Sequence, residues 1–142
     1  MKGCGPMPEA VRVLMAGEAR GPVLHLEEPI SFWGGLDPKT GIIIDQAHPQ
    51  VGESVVGSIL LMPSGRGSSS GSSVLTEVLR AGIGPAGIIM QQADEILVIG
   101  ALVAEELYDI TVPIFTADAA TYASLATAGA AVMAPDGTIT AG

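Results

Sequence analysis

The stretch Pro63-Ser64-Gly65-Arg66-Gly67-Ser68-Ser69-Ser70-Gly71-Ser72-Ser73 places the strongest constraint on this chain. The apolar run Ile59-Leu60-Leu61-Met62 leads into it, and a helical pattern from Val74 to Leu79 leads out. From Ser64 to Ser73 every position is Gly, Ser or the single Arg66. Gly/Ser-rich runs usually serve as flexible linkers. Here the run separates a strand from a helix, with no change of composition on either side. Such a turn gathers hydroxyls, backbone N–H groups and one guanidinium at a helix N-terminus. That is a place to hold an anion, or to expose a serine that does chemistry.

The common phosphate and nucleophile motifs do not fit the turn. No Gly-Lys-Ser/Thr follows the glycines, so the lysine of a P-loop is missing. Gly65, Gly67 and Gly71 are spaced one residue too long for a dinucleotide fingerprint, and Asp94 lies past the end of the next strand. That fingerprint is weak rather than excluded. A serine hydrolase needs a histidine; His25 and His48 are the two present, and nothing in the sequence pairs either with the turn. What survives is a serine without an obvious base. Backbone N–H groups and Arg66 would stabilise a negative oxygen on that serine or on a bound carboxylate. The expectation this leaves is a site completed by a partner chain.

A chain of 142 residues suits one domain, 1–142, with 1–10 as a loose N-terminal segment. Hydrophobic residues make up 48% and aromatics 4%, so the core must be built from small and branched aliphatics. A net charge of −9 argues against nucleic acid, which needs clustered Lys and Arg. Cys4 is the only cysteine, so no disulfide framework, zinc set or iron–sulfur set is expected. The N-terminus has no apolar signal core, and the run Ile96 to Ala104 is about half a membrane span. The expectation is a soluble, cytoplasmic protein that binds no metal of its own.

The rest of the chain divides into short elements. Val11 to Ala19 reads as a first strand, with Pro22 to Leu26 pairing with it across an Arg20-Gly21 turn. Gly41 to Asp45, Gly57 to Met62, Ala86 to Met90 and Val112 to Phe115 read as further strands. Ile96, Ile99, Val103 and Leu107 define one face of a helix ending near Tyr108. Asp118 caps an Ala-rich helix over 119–128. Ala130 to Met133 and Thr138 to Thr140 flank a Pro-Asp-Gly turn. A β-rich first half passing into β/α units predicts a compact α/β domain, layered β/β/α or barrel-like.

A second stretch, Ser31-Phe32-Trp33-Gly34-Gly35-Leu36-Asp37-Pro38-Lys39-Thr40-Gly41, sets the only Trp beside a Gly-Gly pair and an Asp-Pro turn. It is either a glycine-rich turn under aromatic packing or a substrate-facing loop, with Gly34 and Gly35 admitting close backbone approach. Asp45 and His48 make a poor metal pair without a third ligand, and a surface turn before Pro49 is preferred. Gln91, Gln92 and Asp94 precede the apolar helix. Asp94 reads as its N-cap, with a polar cluster beside the turn as the alternative.

Taken together, Pro-Ile-Ser-Phe-Trp-Gly-Gly-Leu-Asp-Pro-Lys-Thr-Gly at 29–41 and Gly-Arg-Gly-Ser-Ser-Ser-Gly-Ser at 65–72 resemble the small subunit of the aconitase X group. Ile44-Asp45, His48-Pro49 and the block at 93–104 extend the resemblance over about 17–134. The resemblance implies an aconitase-type swivelling domain docked on a cysteine-containing large subunit, which carries an iron or iron–sulfur centre. It implies a hydro-lyase inactive without that partner. In it the serine after Gly-Lys/Arg-Gly, here Ser68, removes a proton while the partner's metal takes the leaving hydroxyl. Arg66, Gly67, Ser69, Ser70, Gly71 and Ser72, with Gly34 and Gly35, are the expected substrate-binding positions.

Two hydroxy-acid substrates go with such subunits, cis-3-hydroxy-L-proline and mevalonate 5-phosphate. The unbroken Ser68-Ser69-Ser70 and the lone basic Arg66 lean toward hydroxyproline. A rival of another class is a non-catalytic domain whose Ser/Gly turn binds an anion or a partner protein.

Overall fold

The structure, a computed structural model, describes residues 11–65 and 70–141. Strand runs that are apolar at every position belong between two covered faces, because a face open to water would show alternation. β3 (Ile59–Met62) and β4 (Gly87–Met90) are such runs, buried throughout. Among the described residues they form the centre of a seven-stranded sheet ordered β1-β5-β4-β3-β2-β6-β7. The other strands are β1 (Val11–Met15), β2 (Ala19–His25), β5 (Ile114–Ala117), β6 (Ala130–Met133) and β7 (Ile139–Ala141). Strands β2 to β5 run parallel, and β1, β6 and β7 join antiparallel at the edges.

Strand periodicity sends alternate side chains into two apolar layers. Leu60, Met62, Ile88, Met90 and Ile114 face α2 (Ser70–Arg80) and α3 (Glu95–Tyr108). Ile59, Leu61, Ile89 and Phe115 face Tyr122 and Leu125 of α4 (Ala119–Ala126). The α1 element (Phe32–Gly35) is a single turn with non-helical Trp33 and Gly34. This is the expected α/β architecture, β-rich at first and then βα units.

Three expectations are corrected. The first concerns strand pairing. β1 does not pair with β2; it lies at the far edge against β5, with Val11 opposite Ala117. Arg20-Gly21 is no turn but part of β2, paired with Val132 and Ala131 of β6. Ladder pairing with β6 overrides the turn preference of a glycine there. Second, Gly41 to Asp45 is no ladder strand. It makes isolated bridges, Leu36 to Ile43 and Ile42 to Ser54.

The third concerns the face of α3. The core takes Leu97, Gly100, Ala101 and Ala104, whereas Ile99 and Leu107 are exposed. Residues 96–103 are apolar or glycine at every position, so periodicity cannot select a face. Small residues win because they let α2 approach closely. The Thr76 hydroxyl of α2 lies 2.8 Å from the Gly100 carbonyl and 2.9 Å from the Ser72 carbonyl, its one proton shared between them.

Candidate functional site

Parallel strands deliver their connections at one edge, and in such sheets ligands bind outside the carboxyl ends. The carboxyl ends of β3, β4 and β5 bring Pro63, Ser64, Gln91, Gln92, Ala117 and Ala119 around an open cleft of about 330 Å³. The N–H groups of Gln91 and Gln92 both donate to the Pro63 carbonyl, each at 3.1 Å. This pins the root of the Ser/Gly turn to the end of the neighbouring strand.

Helices α2, α3 and α4 all begin at this edge, each after a parallel strand. Two have their positive N-termini answered by a carboxylate, as expected. Asp94 Oδ1 accepts from the Ile96 N–H at 2.9 Å, and Asp118 Oδ1 accepts from the Thr121 N–H at 2.8 Å. The backbone N–H of Thr121, and then its side chain, hold the Asp118 carboxyl below the usual range. Helix α2 carries no acidic residue in its first turn, and residues 64–73 contain none either. Its first turn therefore brings no carboxylate of its own to its positive end, a condition under which a helix start suits an anionic group.

The structure brings the two singled-out stretches together. Ile30 forms a parallel bridge with Gly65, and a Cβ at Gly71 would lie 3.9 Å from the Phe32 Cβ. Trp33 (φ −80°, ψ 117°) and Gly34 (φ 84°, ψ −19°) have the dihedrals of a type II turn, which requires positive φ at its second position. The Gly35 N–H reaches past the turn's own first residue, Phe32, and donates to the Ser31 carbonyl at 3.0 Å. A side chain at Gly34 would meet nothing within 4 Å, so its Cα faces open space. Gly35 is buried, and a Cβ there would lie 2.9 Å from Ile30 Cγ1. Gly71 is likewise buried, facing Ile96 and Phe32. Ser72 is half-buried, and Ser70 is the first residue of α2. Arg66, Gly67, Ser68 and Ser69 lie outside the described residues.

Asp94 does more than cap. A Cβ at Gly65 would overlap Asp94 Oδ2 and lie 2.7 Å from its Cγ. The carboxylate thus sits on the backbone at the root of the turn, with Oδ1 committed to α3 and Oδ2 over Gly65. Spacing in the sequence points to the cap, because capping is local; contact with a glycine 29 positions earlier has no sequence signal.

His48 is not on a surface turn. It is buried, its Nδ1 accepts from the Gln50 N–H at 3.0 Å, and its Nε2 therefore carries the proton donated to the Glu28 carbonyl at 2.9 Å. Asp45 spends Oδ1 on the Ala47 N–H. Among the described residues no group of three or more His, Cys, Asp or Glu is placed to hold a metal ion. No helix among them is long and apolar enough to cross a membrane.

A family profile described as the aconitase X swivel domain matches residues 9–141. The chain is 48% identical over 103 residues to the cis-3-hydroxy-L-proline dehydratase of Pseudomonas aeruginosa, covering 72% of this chain but 18% of that protein. It is 47% identical over 93 residues to the phosphomevalonate dehydratase small subunit of Methanothermobacter thermautotrophicus, covering 66% of this chain and 71% of that one. The chain thus spans less than a fifth of the first relative and most of the second. Among solved structures, aconitase X of Thermococcus kodakaraensis in its holo-form superposes with a TM-score of 0.77 at 32% identity, covering 92% of this chain and 93% of that one. Matched from residue 9 to residue 141, the chain belongs to the aconitase X swivel-domain family.

Proposed function

We propose that this chain is the small subunit of a heteromeric hydro-lyase of the aconitase X type, and that Ser68 is its catalytic base. The observation that carries this reading is the position of the turn. Gly65 and Ser70 bracket it between the carboxyl end of β3 and the start of α2, beside the loop that presents Gly34. A serine there is deprotonated at the positive end of a helix whose own first turn bears no carboxylate, which favours an alkoxide. Arg66 adds a guanidinium beside it in sequence. The alkoxide takes a proton from the substrate carbon next to its carboxylate, the freed electron pair forms the C=C bond, and the hydroxyl on the adjacent carbon leaves with a proton as water. Gly67, Ser69, Ser70 and Ser72, with the open backbone at Gly34, offer hydrogen bonds to the substrate. Buried Gly35 and Gly71 support these positions from behind.

The described residues supply no ligand set for iron, so an iron or iron–sulfur centre in this reading belongs to a cysteine-containing large subunit. The substrate is a small hydroxy acid. The two dehydratase groups stand at 48% and 47% identity, which does not choose between them. The unbroken Ser68-Ser69-Ser70 and the single cation at the turn favour cis-3-hydroxy-L-proline over mevalonate 5-phosphate, whose phosphate asks for further basic groups.

Co-expression with the large subunit, followed by assays on both substrates, tests the reading. The isolated chain is expected to be inactive and the complex active. Ser68→Ala is expected to lower kcat by about 100-fold or more, the share of a general base, while the complex still assembles. Full activity in Ser68→Ala removes Ser68 from the mechanism.

A further inference from the structure

Exposed Ile42 and Ile44 flank buried Ile43 and so share the outward side of one extended segment. The Ile44 N–H donates to the Gly35 carbonyl at 2.9 Å, and the Gly52 N–H to the Ile43 carbonyl at 2.8 Å. These bonds set Ile44 and Val51, also exposed, beside the turn at Trp33-Gly34. Trp33 is 61% exposed, the largest aromatic of the chain left in water. Its backbone is nonetheless held, since the Ser31 hydroxyl donates to its carbonyl at 2.9 Å. A fixed, exposed indole with aliphatic neighbours has the make-up of an interface anchor.

The surroundings of this patch are acidic. Residues 27–56 carry Glu27, Glu28, Asp37, Asp45 and Glu53 against a single Lys39. Among the described residues the one ion pair is Arg80 with Glu77, so these five carboxylates have no cationic partner there.

We infer that Trp33, Ile42, Ile44 and Val51, within their acidic rim, form the docking surface for the large subunit, which presents an apolar patch edged with Lys and Arg. The inference rests on the subunit reading above. Continuity with the candidate site selects the face. The Ile30–Gly65 bridge joins this patch to the Ser/Gly turn, and a partner that completes the site must cover the turn and the ground beside it. Charge selects the partner's rim. The Pseudomonas aeruginosa relative shows a body large enough to do so, since the matched stretch is 18% of that polypeptide. The other exposed apolar row, Ile99, Leu102 and Leu107 on α3, leads away from the site. Leu107 is twelve residues past Glu95, about 18 Å along the helix.

The test uses the full chain and the co-expressed large subunit. Trp33 is the only tryptophan, so 5-fluorotryptophan labelling of this chain gives one fluorine NMR signal that reports directly on the patch. On forming the active complex the signal is expected to shift and lose its solvent isotope effect. Trp33→Ala and Ile44→Glu are each expected to weaken association about tenfold or more, and Leu107→Glu less than about threefold. Raising the salt concentration is expected to weaken association further. An active complex with an unchanged fluorine signal, or with wild-type affinity in both patch variants, overturns the docking face and leaves the subunit reading standing. If no complex forms with the unsubstituted chain, the subunit reading itself fails and the docking face with it.

Discussion

Replacing Gly65 with alanine probes the contact that roots the Ser/Gly turn. Gly65 is not among the glycines with positive φ, so a side chain there is opposed by space and not by backbone conformation. The added methyl would overlap Asp94 Oδ2 and lie 2.7 and 3.1 Å from Asp94 Cγ and Cβ, well inside ordinary contact. Rotating the carboxylate away breaks its 2.9 Å bond to the Ile96 N–H, a cap worth about 1 kcal/mol. Leaving the carboxylate in place forces the backbone to shift, at about 1–3 kcal/mol for overpacking. Gly65→Ala is therefore expected to lower stability by about 1–3 kcal/mol in urea unfolding. Asp94→Ala alone loses the cap. In the double variant Oδ2 and Cγ are gone and only the 3.1 Å contact with the Cβ of residue 94 remains, so alanine at 65 costs at most about 0.5 kcal/mol, offset in part by its restriction of the unfolded chain. The cycle should thus give a coupling energy above about 1 kcal/mol. Additivity within about 0.5 kcal/mol, the behaviour of sites that do not touch, refutes the contact.

Two further measurements examine buried polar groups. His48→Ala strips the partners from the Gln50 N–H and the Glu28 carbonyl, and is expected to cost about 2–4 kcal/mol, read from the unfolding midpoint. The Tyr122 phenol is pushed up to about 12 by burial, and its oxygen has no hydrogen-bond partner among the described residues. Unfolded tyrosine ionises near pH 10, so the unfolded chain releases this proton first and stability is lost as pH rises from 10 to 12. Tyr122→Phe is expected to flatten that alkaline decline and to leave stability at pH 7 unchanged or slightly higher. An equal alkaline decline in both proteins would refute the burial of the phenol.

Much of this architecture can be read from local chemistry. The runs at 59–62 and 87–90 are apolar at each position or begin with a glycine, which marks them as strands before any coordinate is known, and both are buried throughout. Asp94 and Asp118 precede apolar helical segments, and both cap as expected. The turn at 63–73 is legible as a strand-to-helix junction, and the quoted motifs carry the family. Other features resisted reading for identifiable reasons. Gly21 looks like a turn residue, yet a Cβ there would run into the Gly57 carbonyl, so it is glycine for space within β2. Helix α3 is apolar on nearly every side, so its pattern holds two candidate faces and no means of ranking them.

The sequence by itself determined that the runs at 59–62 and 87–90 are strands, where α3 and α4 start, and that a serine-rich run separates β3 from the helix after it. Each of these is decided by neighbours within a few residues, through caps, φ preferences and apolar runs. Helix α2 itself begins at Ser70, four residues before the Val74 at which its apolar pattern starts. Only the tertiary structure decided that β1 crosses to the far edge, that Ile30 meets Gly65, and that Asp94 lies over that glycine. It alone left Trp33 and its neighbours facing outward beside the site. Those outcomes depend on contacts between segments 29 or more residues apart. Such contacts form because the sheet must cover both of its faces, and no residue signals its distant partner.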